Sequence, residues 1–472
     1  MNNSQIYVGL DIGTASIKVL VCEDVKGKLE VVGVGSQPSG GLSHGAIVDI
    51  DKTAHAIKAA VEQARAKSGV EIREVVVGLP ANYLKLNEVH GMITVSDQGQ
   101  PREIINQDVI DVAHSTLSQA LPPEREVIDL VPRDFAVDQF RGIQDPRGMA
   151  GVRLELWATL YSGSKTIVHN TKKAIEAAGL KVADLVVSPI ATGFNLLSDG
   201  EQDFGTLLID LGAGQTTTSI IHDHQLKFAY VDPEGSKFVT KDISTVLNTS
   251  QKNAERLKLD HGYAQAAAVE DDVQLAVDVV GKSQPVNYTE QYLAEIIEAR
   301  MRQIFRRAKD RLDAISAPDL PGGVVLLGGG AALPGIKELA SEYFSGTIRV
   351  VVPEQMGIRH PGYATVLSLT MYENSLSDVT RLIKQTLHEG GLITSPPQQA
   401  ANVNQPLTAP ARRPQKRPAA PKRPRMARPT PRPQAARPVN AASEQPKPTP
   451  TPREKPAKKS GGFKGFFSNF FD

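Results

Sequence analysis

Cysteine occurs once in 472 residues, as Cys22, so an intramolecular disulfide framework and a cysteine-based metal site are both excluded, and a reducing cytosol is expected. No apolar run approaches the ~20 residues that cross a bilayer. The first residues, MNNSQ, lead directly into IYVGL without the basic-then-apolar pattern of a secretion signal. A secreted or membrane-spanning protein is therefore not expected. The ten histidines show neither H-x-x-x-H nor H-E-x-x-H spacing. His222 and His224 flank an aspartate in an expected hairpin, and no histidine is assigned as a metal ligand. The single tryptophan, Trp157, lies in the apolar stretch LELWATLY and is expected in the core.

Charge of one sign is missing from one part of the chain. Residues 396–460 hold 15 Lys/Arg, only two acids (Glu444 and Glu454) and 17 of the 32 prolines, which gives +13. The last twelve residues are neutral and the whole chain is +1, so residues 1–395 carry −12. An acidic body precedes a basic, proline-rich segment, and the two read separately. The segment lacks aromatics and cannot bury enough apolar surface to offset its ordering entropy, so residues 391–460 are expected to form a disordered linker with polyproline II character. Its cations invite a nucleic-acid reading. The absence of interleaved aromatics and of a recognition fold argues against one. The final stretch, GGFKGFFSNFFD, concentrates Phe463, Phe466, Phe467, Phe470 and Phe471 at i, i+3, i+4, i+7 and i+8. That spacing puts all five on one face of a helix over 461–472, with Lys464 on the other.

Residues 1 to about 390 alternate short Val/Ile/Leu runs with helical patterns, an α/β body. Strands are expected at 6–11, 17–22, 30–35, 74–79, 206–211, 216–222 and 323–328. Helices are expected at 51–68, 164–179, 236–247, 251–259 and 288–315. Three motifs at strand ends carry chemistry. In the first, Gly9-Leu10-Asp11-Ile12-Gly13-Thr14-Ala15-Ser16-Ile17-Lys18, a strand ends in an aspartate, turns through small and hydroxyl residues and returns. Such a turn aims backbone N–H groups into a concavity suited to phosphate oxygens. Asp11 beside phosphate requires an intervening Mg²⁺. The second, Leu208-Ile209-Asp210-Leu211-Gly212-Ala213-Gly214-Gln215-Thr216-Thr217, repeats the first 199 residues later, which suggests a duplicated fold whose hairpins face one another. The third, Val324 to Ile336, runs from a buried strand through Gly328, Gly329 and Gly330 into a helix start, where backbone can approach a flat ligand closely. It is not G-x-G-x-x-G, which counts against a Rossmann site.

The segments DIGTASIK, IDLGAGQTT and VLLGGGAALPG resemble the phosphate-1, phosphate-2 and adenosine motifs of the actin/Hsp70/sugar-kinase superfamily. GLSHGAIVDID (41–51), VVVGLPANYLKLNEVHGMITVS (75–96), DLVVSPIATGFNLL (184–197) and AERLKLDHG (254–262) resemble the FtsA family of bacterial cell-division proteins, over essentially residues 1–385. The resemblance implies two RNase H-like α/β halves flanking a cleft that binds ATP and Mg²⁺. Asp11 and Asp210 would hold the metal, partly through water. Gly13, Thr14, Ala15 and Ser16, with Gly212, Ala213, Gly214, Gln215 and Thr216, would wrap the phosphates, and Lys18 would lie near the β-phosphate. Glu255 and Lys258 would contact ribose or adenine, and Gly328, Gly329, Gly330 and Ala331 would back the adenosine. Asp184 falls where relatives place a water-polarising residue; a loop or cap carboxylate is the alternative.

The resemblance also implies subdomains at 1–83 with 163–200 (1A), 84–162 (an inserted, SHS2-like 1C), 201–242 with 318–390 (2A) and 243–317 (2B). Expected partners are the C-terminal tail of FtsZ, further copies of the chain in filaments, an anionic membrane surface reached by the terminal helix, and other division proteins. No nucleic acid is expected. The site would be the cytoplasmic face of the membrane at the division septum. Arg300 and Arg302, in an arginine-dense helix, would dock the acidic FtsZ tail; a plain solvated face is the other reading of that helix. The competing classes are a sugar or acetate kinase, a PilM-like pilus-assembly protein and an Hsp70-like chaperone. The first and last have no use for, or no room for, a Pro-rich linker ending in a Phe helix, and PilM-like proteins usually lack that tail.

Overall fold

Alternating apolar residues build β1 (Ile6–Ile12), β2 (Ser16–Val25) and β3 (Lys28–Pro38) into an antiparallel meander. They belong to a computed structural model that describes residues 5–389, apart from 98, 118–120 and 271. The expected linker and terminal helix, with Phe463, Lys464, Phe466, Phe467, Phe470 and Phe471, lie outside the described residues. A two-residue hairpin, β4 (Leu42–Ser43) and β5 (Ala46–Ile47), leads into α1 (Ile50–Ser68). Asp49 caps α1 by accepting the Lys52 N–H at 3.0 Å, and Gly69 closes it in the left-handed region at φ 70°. Gly35 of β3 lets α1 lie close on the sheet, since a Cβ there would stand 1.9 Å from the Ala60 carbonyl oxygen. β6 (Glu74–Leu79) pairs parallel with β1.

Between β6 and the rest of this half comes the insert: β7 (Lys85–Thr94), β8 (Arg102–Glu103), α2 (Asn106–Thr116), β9 (Arg125–Val137), β10 (Phe140–Ile143), β11 (Ala150–Gly151) and β12 (Arg153–Ser164). Four of its strands form an antiparallel sheet in the order β10-β9-β12-β7 over a core of its own that includes Val109, Val112, Phe135, Leu154 and Leu156. After α3 (Lys165–Ala177), β13 (Lys181–Val187) pairs parallel with β6 and completes the first sheet, β13-β6-β1-β2-β3.

The second half repeats that plan. α4 (Ser188–Leu196) and α5 (Asp199–Phe204) lead to the meander β14 (Thr206–Leu211), β15 (Thr216–His222) and β16 (Gln225–Asp232). α6 (Ser236–Val246), α7 (Gln251–His261), the hairpin β17 (Gln274–Val277) with β18 (Val286–Thr289), and α8 (Glu290–Ala314) follow. β19 (Val324–Leu327) returns parallel to β14, and after α9 (Ile336–Ser341), β20 (Ile348–Val350) pairs with β19. The order β16-β15-β14-β19-β20 matches the first sheet strand for strand, so the duplication read from the two Asp-Gly motifs is a duplication of topology.

Three features differ from the sequence reading. Residues 318–390 are not all part of the second half. α10 (Ala364–Ser375) crosses to the first sheet, where the Val366 carbonyl lies so close to Gly9 that a Cβ there would meet it at 2.8 Å. α11 (Asp378–Glu389) places Val379, Ile383 and Leu387 in the core of the insert. Trp157 is not in the core: it lies half-buried on the face of the insert sheet away from α2, stacked on His90 at 4.5 Å with the Arg141 guanidinium 4.9 Å from its ring. β12 alternates, and its even-numbered Leu154, Leu156 and Leu160 take the core face.

Asp184 is the third correction. Its carboxylate is buried at the junction of first half, insert and α11, where Lys384 Nζ lies 2.9 Å from Asp184 Oδ2 and 2.6 Å from Asp129 Oδ2. Burial disfavours the ammonium, but the two carboxylates outweigh it and hold Lys384 well above the ordinary lysine range. Removing one partner of such a buried cluster strands the others, at about 3–5 kcal/mol. Lys384→Met should therefore lower the unfolding free energy by about that much in urea denaturation. The triple variant with Asp129→Asn and Asp184→Asn should recover most of the loss. An unaffected midpoint in Lys384→Met would show that the cluster does not tie the three parts together.

Candidate nucleotide cleft

The two duplicated hairpins turn through the same number of residues. Ile12 pairs with Ile17 across Gly13-Thr14-Ala15-Ser16, and Leu211 with Thr216 across Gly212-Ala213-Gly214-Gln215. In each, the leading glycine sits where a Cβ would collide with a carbonyl of the same turn: Gly13 with Ser16 O at 2.8 Å and Gly212 with Gln215 O at 2.7 Å. The turns meet tip to tip. Gly214 packs on Thr14, so that a Cβ would stand 2.6 Å from Thr14 Cγ2, and Lys237 Nζ, from the start of α6, donates to the Thr14 carbonyl at 2.7 Å. Behind the second turn, the N–H groups of Ser236 and Lys237 hold the Gly212 and Ala213 carbonyls at 2.9 Å each.

A cleft of about 760 Å³ opens between the halves at these turns, within the range of small-molecule sites. Asp11, Gly13 to Ser16, Lys18, Asp210, Gly212 to Gln215, Glu255, Lys258 and Gly328 to Gly330 all line it. Two residues read as binding residues stand just behind the wall. Thr216 is buried and donates its hydroxyl to the Glu234 carbonyl at 2.9 Å, and Ala331 is buried under the glycine loop. Asp184, in its buried cluster, is not a wall residue. Arg300 and Arg302 also lie elsewhere, and neither is a free cation. Arg300 bridges Asp242 (2.6 Å) and Glu234 (2.7 Å), and Arg302 pairs with Glu298 (2.6 Å) and with Glu342. Both arginines have an internal role: they brace α8 against the rest of the second half.

Asp11 and Asp210 end equivalent strands and face the same cleft. Enclosure first, and repulsion from Asp11 second, push the Asp210 carboxyl up to about 6, while Lys18 and a hydrogen bond from Thr365 pull the other way. Lys18 Nζ lies 3.5 Å from Asp11 Oδ2. Asp210, whose charge Asp11 disfavours, forms with Asp11 a donor set for a hard divalent cation, and Mg²⁺ characteristically takes one or two carboxylates and completes its shell with water and phosphate oxygens. The residues thus fit Mg²⁺ with a polyphosphate. Gly328, at φ 85°, is required beside them: a Cβ there would lie 2.2 Å from Asp210 Oδ1. At the other end, Lys258 Nζ is held by Glu255 (2.8 Å) and the Thr240 hydroxyl (2.9 Å), against the glycine loop and Leu333. That end offers an apolar wall edged by hydrogen-bonding groups, suited to a nucleoside.

Sequence reasoning missed Lys237, His360 and Thr365. Lys237 had a signal, since Gly235-Ser236-Lys237 sits where a strand hands over to a helix. The other two had none, because tertiary packing alone brings the approach to α10 into the cleft. His360 Nδ1 accepts the Gly362 N–H at 3.0 Å, and burial, with Lys18 nearby, lowers its pKa, which favours the neutral imidazole.

Comparison with known proteins identifies the family and the fold. Residues 207–368 match the family model for cell division protein FtsA, and residues 81–162 match that for the SHS2 domain inserted in FtsA. The cell division protein FtsA of Enterococcus faecalis is 50% identical over 387 residues, 82% of this chain and 88% of that one. Its counterpart in Bacillus subtilis is 40% identical over 372 residues, 79% and 84% of the two chains. Among solved structures, the PilM-PilN type IV pilus biogenesis complex aligns with a TM-score of 0.54 at 18% identity, over 78% of this chain and 99% of that one. At that identity it shares the fold.

Because the folded pKa of Asp210 is raised, the folded chain holds that proton to higher pH than the unfolded chain. Its contribution to stability is therefore lost as pH rises from about 4 through about 6. Asp210→Asn should match wild type below pH 4 and, without ligand, exceed it above pH 6 by on the order of 3 kcal/mol. The same variant should lose Mg-ATP binding. Thermal unfolding followed at both pH values checks the first outcome. Equal stability of the two proteins at pH 7 would mean that the Asp210 carboxyl is not raised by its surroundings.

Proposed function

The chain belongs to the FtsA family of cell-division proteins, and from that membership we propose that it binds Mg-ATP, assembles into filaments and tethers the FtsZ ring to the cytoplasmic membrane. Cell division and the actin-like fold with its SHS2 insert are established by the comparisons and the topology. The observation that carries the nucleotide part is the pair of equivalent Asp-Gly hairpins facing one cleft. ATP supplies the polyphosphate that the hairpins cradle, and Mg²⁺ would be held by Asp11 and Asp210. Turnover is expected to be slow, as suits a switch. The same reading extends to helping recruit other division proteins at the septum.

Among the described residues no helix is long and apolar enough to cross a membrane. Attachment is assigned to the sequence 461–472. Ten or so residues are too few for a stable helix in water, so the segment would fold where an apolar surface receives its five phenylalanines. Each Phe fully buried contributes about 1.5–3 kcal/mol, less the cost of ordering. Lys458, Lys459 and Lys464 would add about 1 kcal/mol each on anionic lipid. A single anchor is then weak and reversible, and a filament that presents many gains by avidity. The FtsZ tail remains an expected partner, and Arg300 and Arg302, the residues read as docking it, are also ion-paired within the chain.

The test is flotation of the full chain with anionic liposomes in Mg-ATP. Wild type should float. Phe466→Glu/Phe470→Glu should remain in the bottom fraction while binding Mg-ATP as before. Equal flotation of the two would remove the terminal segment as the anchor.

A further inference from the structure

The Gln215 side chain has an unusual place. It closes the turn of the second hairpin, in the position that Ser16 holds in the first, and it lines the cleft. Its amide crosses from the second half to the first, where it lies flat on Gly45: a Cβ on Gly45 would stand 2.1 Å from Gln215 Oε1 and 2.9 Å from Nε2. Gly45 is the tip of the β4–β5 hairpin. That tip turns through His44 and Gly45, both in the left-handed region at φ 46° and 74°, a tight turn that suits the glycine. The hairpin is held at its base, where Asn170 Nδ2 donates to the Ile47 carbonyl at 3.1 Å.

Gln215 Oε1 is buried in this contact and accepts no hydrogen bond from any described residue. A buried carbonyl left unpaired costs about 1–3 kcal/mol. The terminal amide torsion is soft, so the side chain gains by turning its oxygen towards a donor that enters the cleft. Phosphate oxygens are acceptors and cannot supply that bond; a water molecule beside them can. With Asp184 removed to its buried cluster, no carboxylate of the cleft wall is free for this task. Asp11 and Asp210 face each other as the cation donor set, and Glu255 is tied to Lys258 and Thr240.

We propose that the Gln215 carbonyl positions the water that attacks the terminal phosphate of bound ATP, and that Gly45 at the β4–β5 tip holds the amide in place. This rests on the reading that the cleft binds Mg-ATP. In the step, the water oxygen bonds to the terminal phosphorus while the bond from that phosphorus to the bridging oxygen breaks. The electron pair leaves on ADP, and the water proton passes to the released phosphate. An amide orients the water but takes no proton from it, as with the glutamines that position water in GTPases. Orientation without a strong base implies slow turnover. Gly45 is then a positioning residue, and any side chain there would press on the amide.

The experiment compares full-length wild type with Gln215→Ala, Gln215→Asn, Gln215→Glu and Gly45→Ala, in two measurements. Affinities for AMP-PNP and ADP come from displacement of a fluorescent nucleotide, and hydrolysis from single-turnover release of phosphate at saturating Mg-ATP. Gln215→Ala and Gln215→Asn should keep AMP-PNP affinity within about threefold, because the backbone cradle is intact, yet hydrolyse on the order of a hundredfold more slowly, the cost of misplacing a reactant by about an ångström. Gln215→Glu, which keeps an acceptor oxygen at the same reach, should restore most of the rate. Gly45→Ala should slow hydrolysis and leave affinity alone. Hydrogen exchange of residues 41–47 adds a readout apart from turnover: AMP-PNP should protect the hairpin more than ADP in wild type, and equally little in Gln215→Ala. Unchanged hydrolysis in Gln215→Ala would overturn the proposal. So would a loss of AMP-PNP affinity that matches the loss of rate, which would make Gln215 a phosphate ligand. A wild type that binds AMP-PNP but releases no phosphate would also overturn it and leave the nucleotide reading standing. Failure of wild type to bind either nucleotide would instead remove that reading and the proposal with it.

Discussion

Two carboxylates held at the ends of equivalent strands, facing each other across one cleft, are the constraint on which the rest of this structure depends. Asp210 is not placed for stability. Enclosure and mutual repulsion raise the Asp210 pKa to about 6, so the ligand-free fold bears a penalty at neutral pH. The surrounding design keeps that penalty in place. Glycines at 13, 212 and 328 bring backbone to distances that no side chain would tolerate. Lys18 partly offsets the charge from the strand opposite. A site that disfavours its own anions is one that gains most from a divalent cation.

Near this site, three contacts join a hairpin turn to the other half. Gly214 rests on Thr14, Lys237 reaches the Thr14 carbonyl, and Gln215 lies on Gly45. A ligand between the hairpins would touch groups that join the halves, beside the apolar core that Leu208, Ile221, Val325 and Leu327 share with the first half. The first half is tied in turn to the insert and to α11 by Lys384 with Asp129 and Asp184. That buried charge cluster fixes the last described helix, from which the basic segment continues.

Much of the fold was legible in the sequence because its strands are short apolar runs punctuated by glycine. The expected strand at 206–211 matches β14, and the long helix at 288–315 contains α8. The duplication was legible because a functional turn constrains residue type at each position. Periodicity carries no information on which sheet a helix packs against, so α10 and α11 were assigned to the second half although they pack on the first half and the insert. Trp157 misled because an apolar neighbourhood in a strand supplies both faces of a sheet. Asp184 misled for a physical reason, and the internal pairing of Arg300 was hidden by the same one: a charged side chain looks alike in sequence whether it meets a ligand or a partner in its own chain. Lys384 is 200 residues from Asp184, and Asp242 is 58 from Arg300, so no local pattern could reveal the pairing.

The central claim is that the paired carboxylates make nucleotide binding depend on a divalent cation. Calorimetric titration of ATP into the full-length chain, with Mg²⁺ and then with the metal chelated, tests it most directly. The account predicts one ATP per chain, bound at least about tenfold more tightly with the metal, since without it the phosphates meet two bare carboxylates. Equal affinity in the two titrations, or no binding in either, would contradict it.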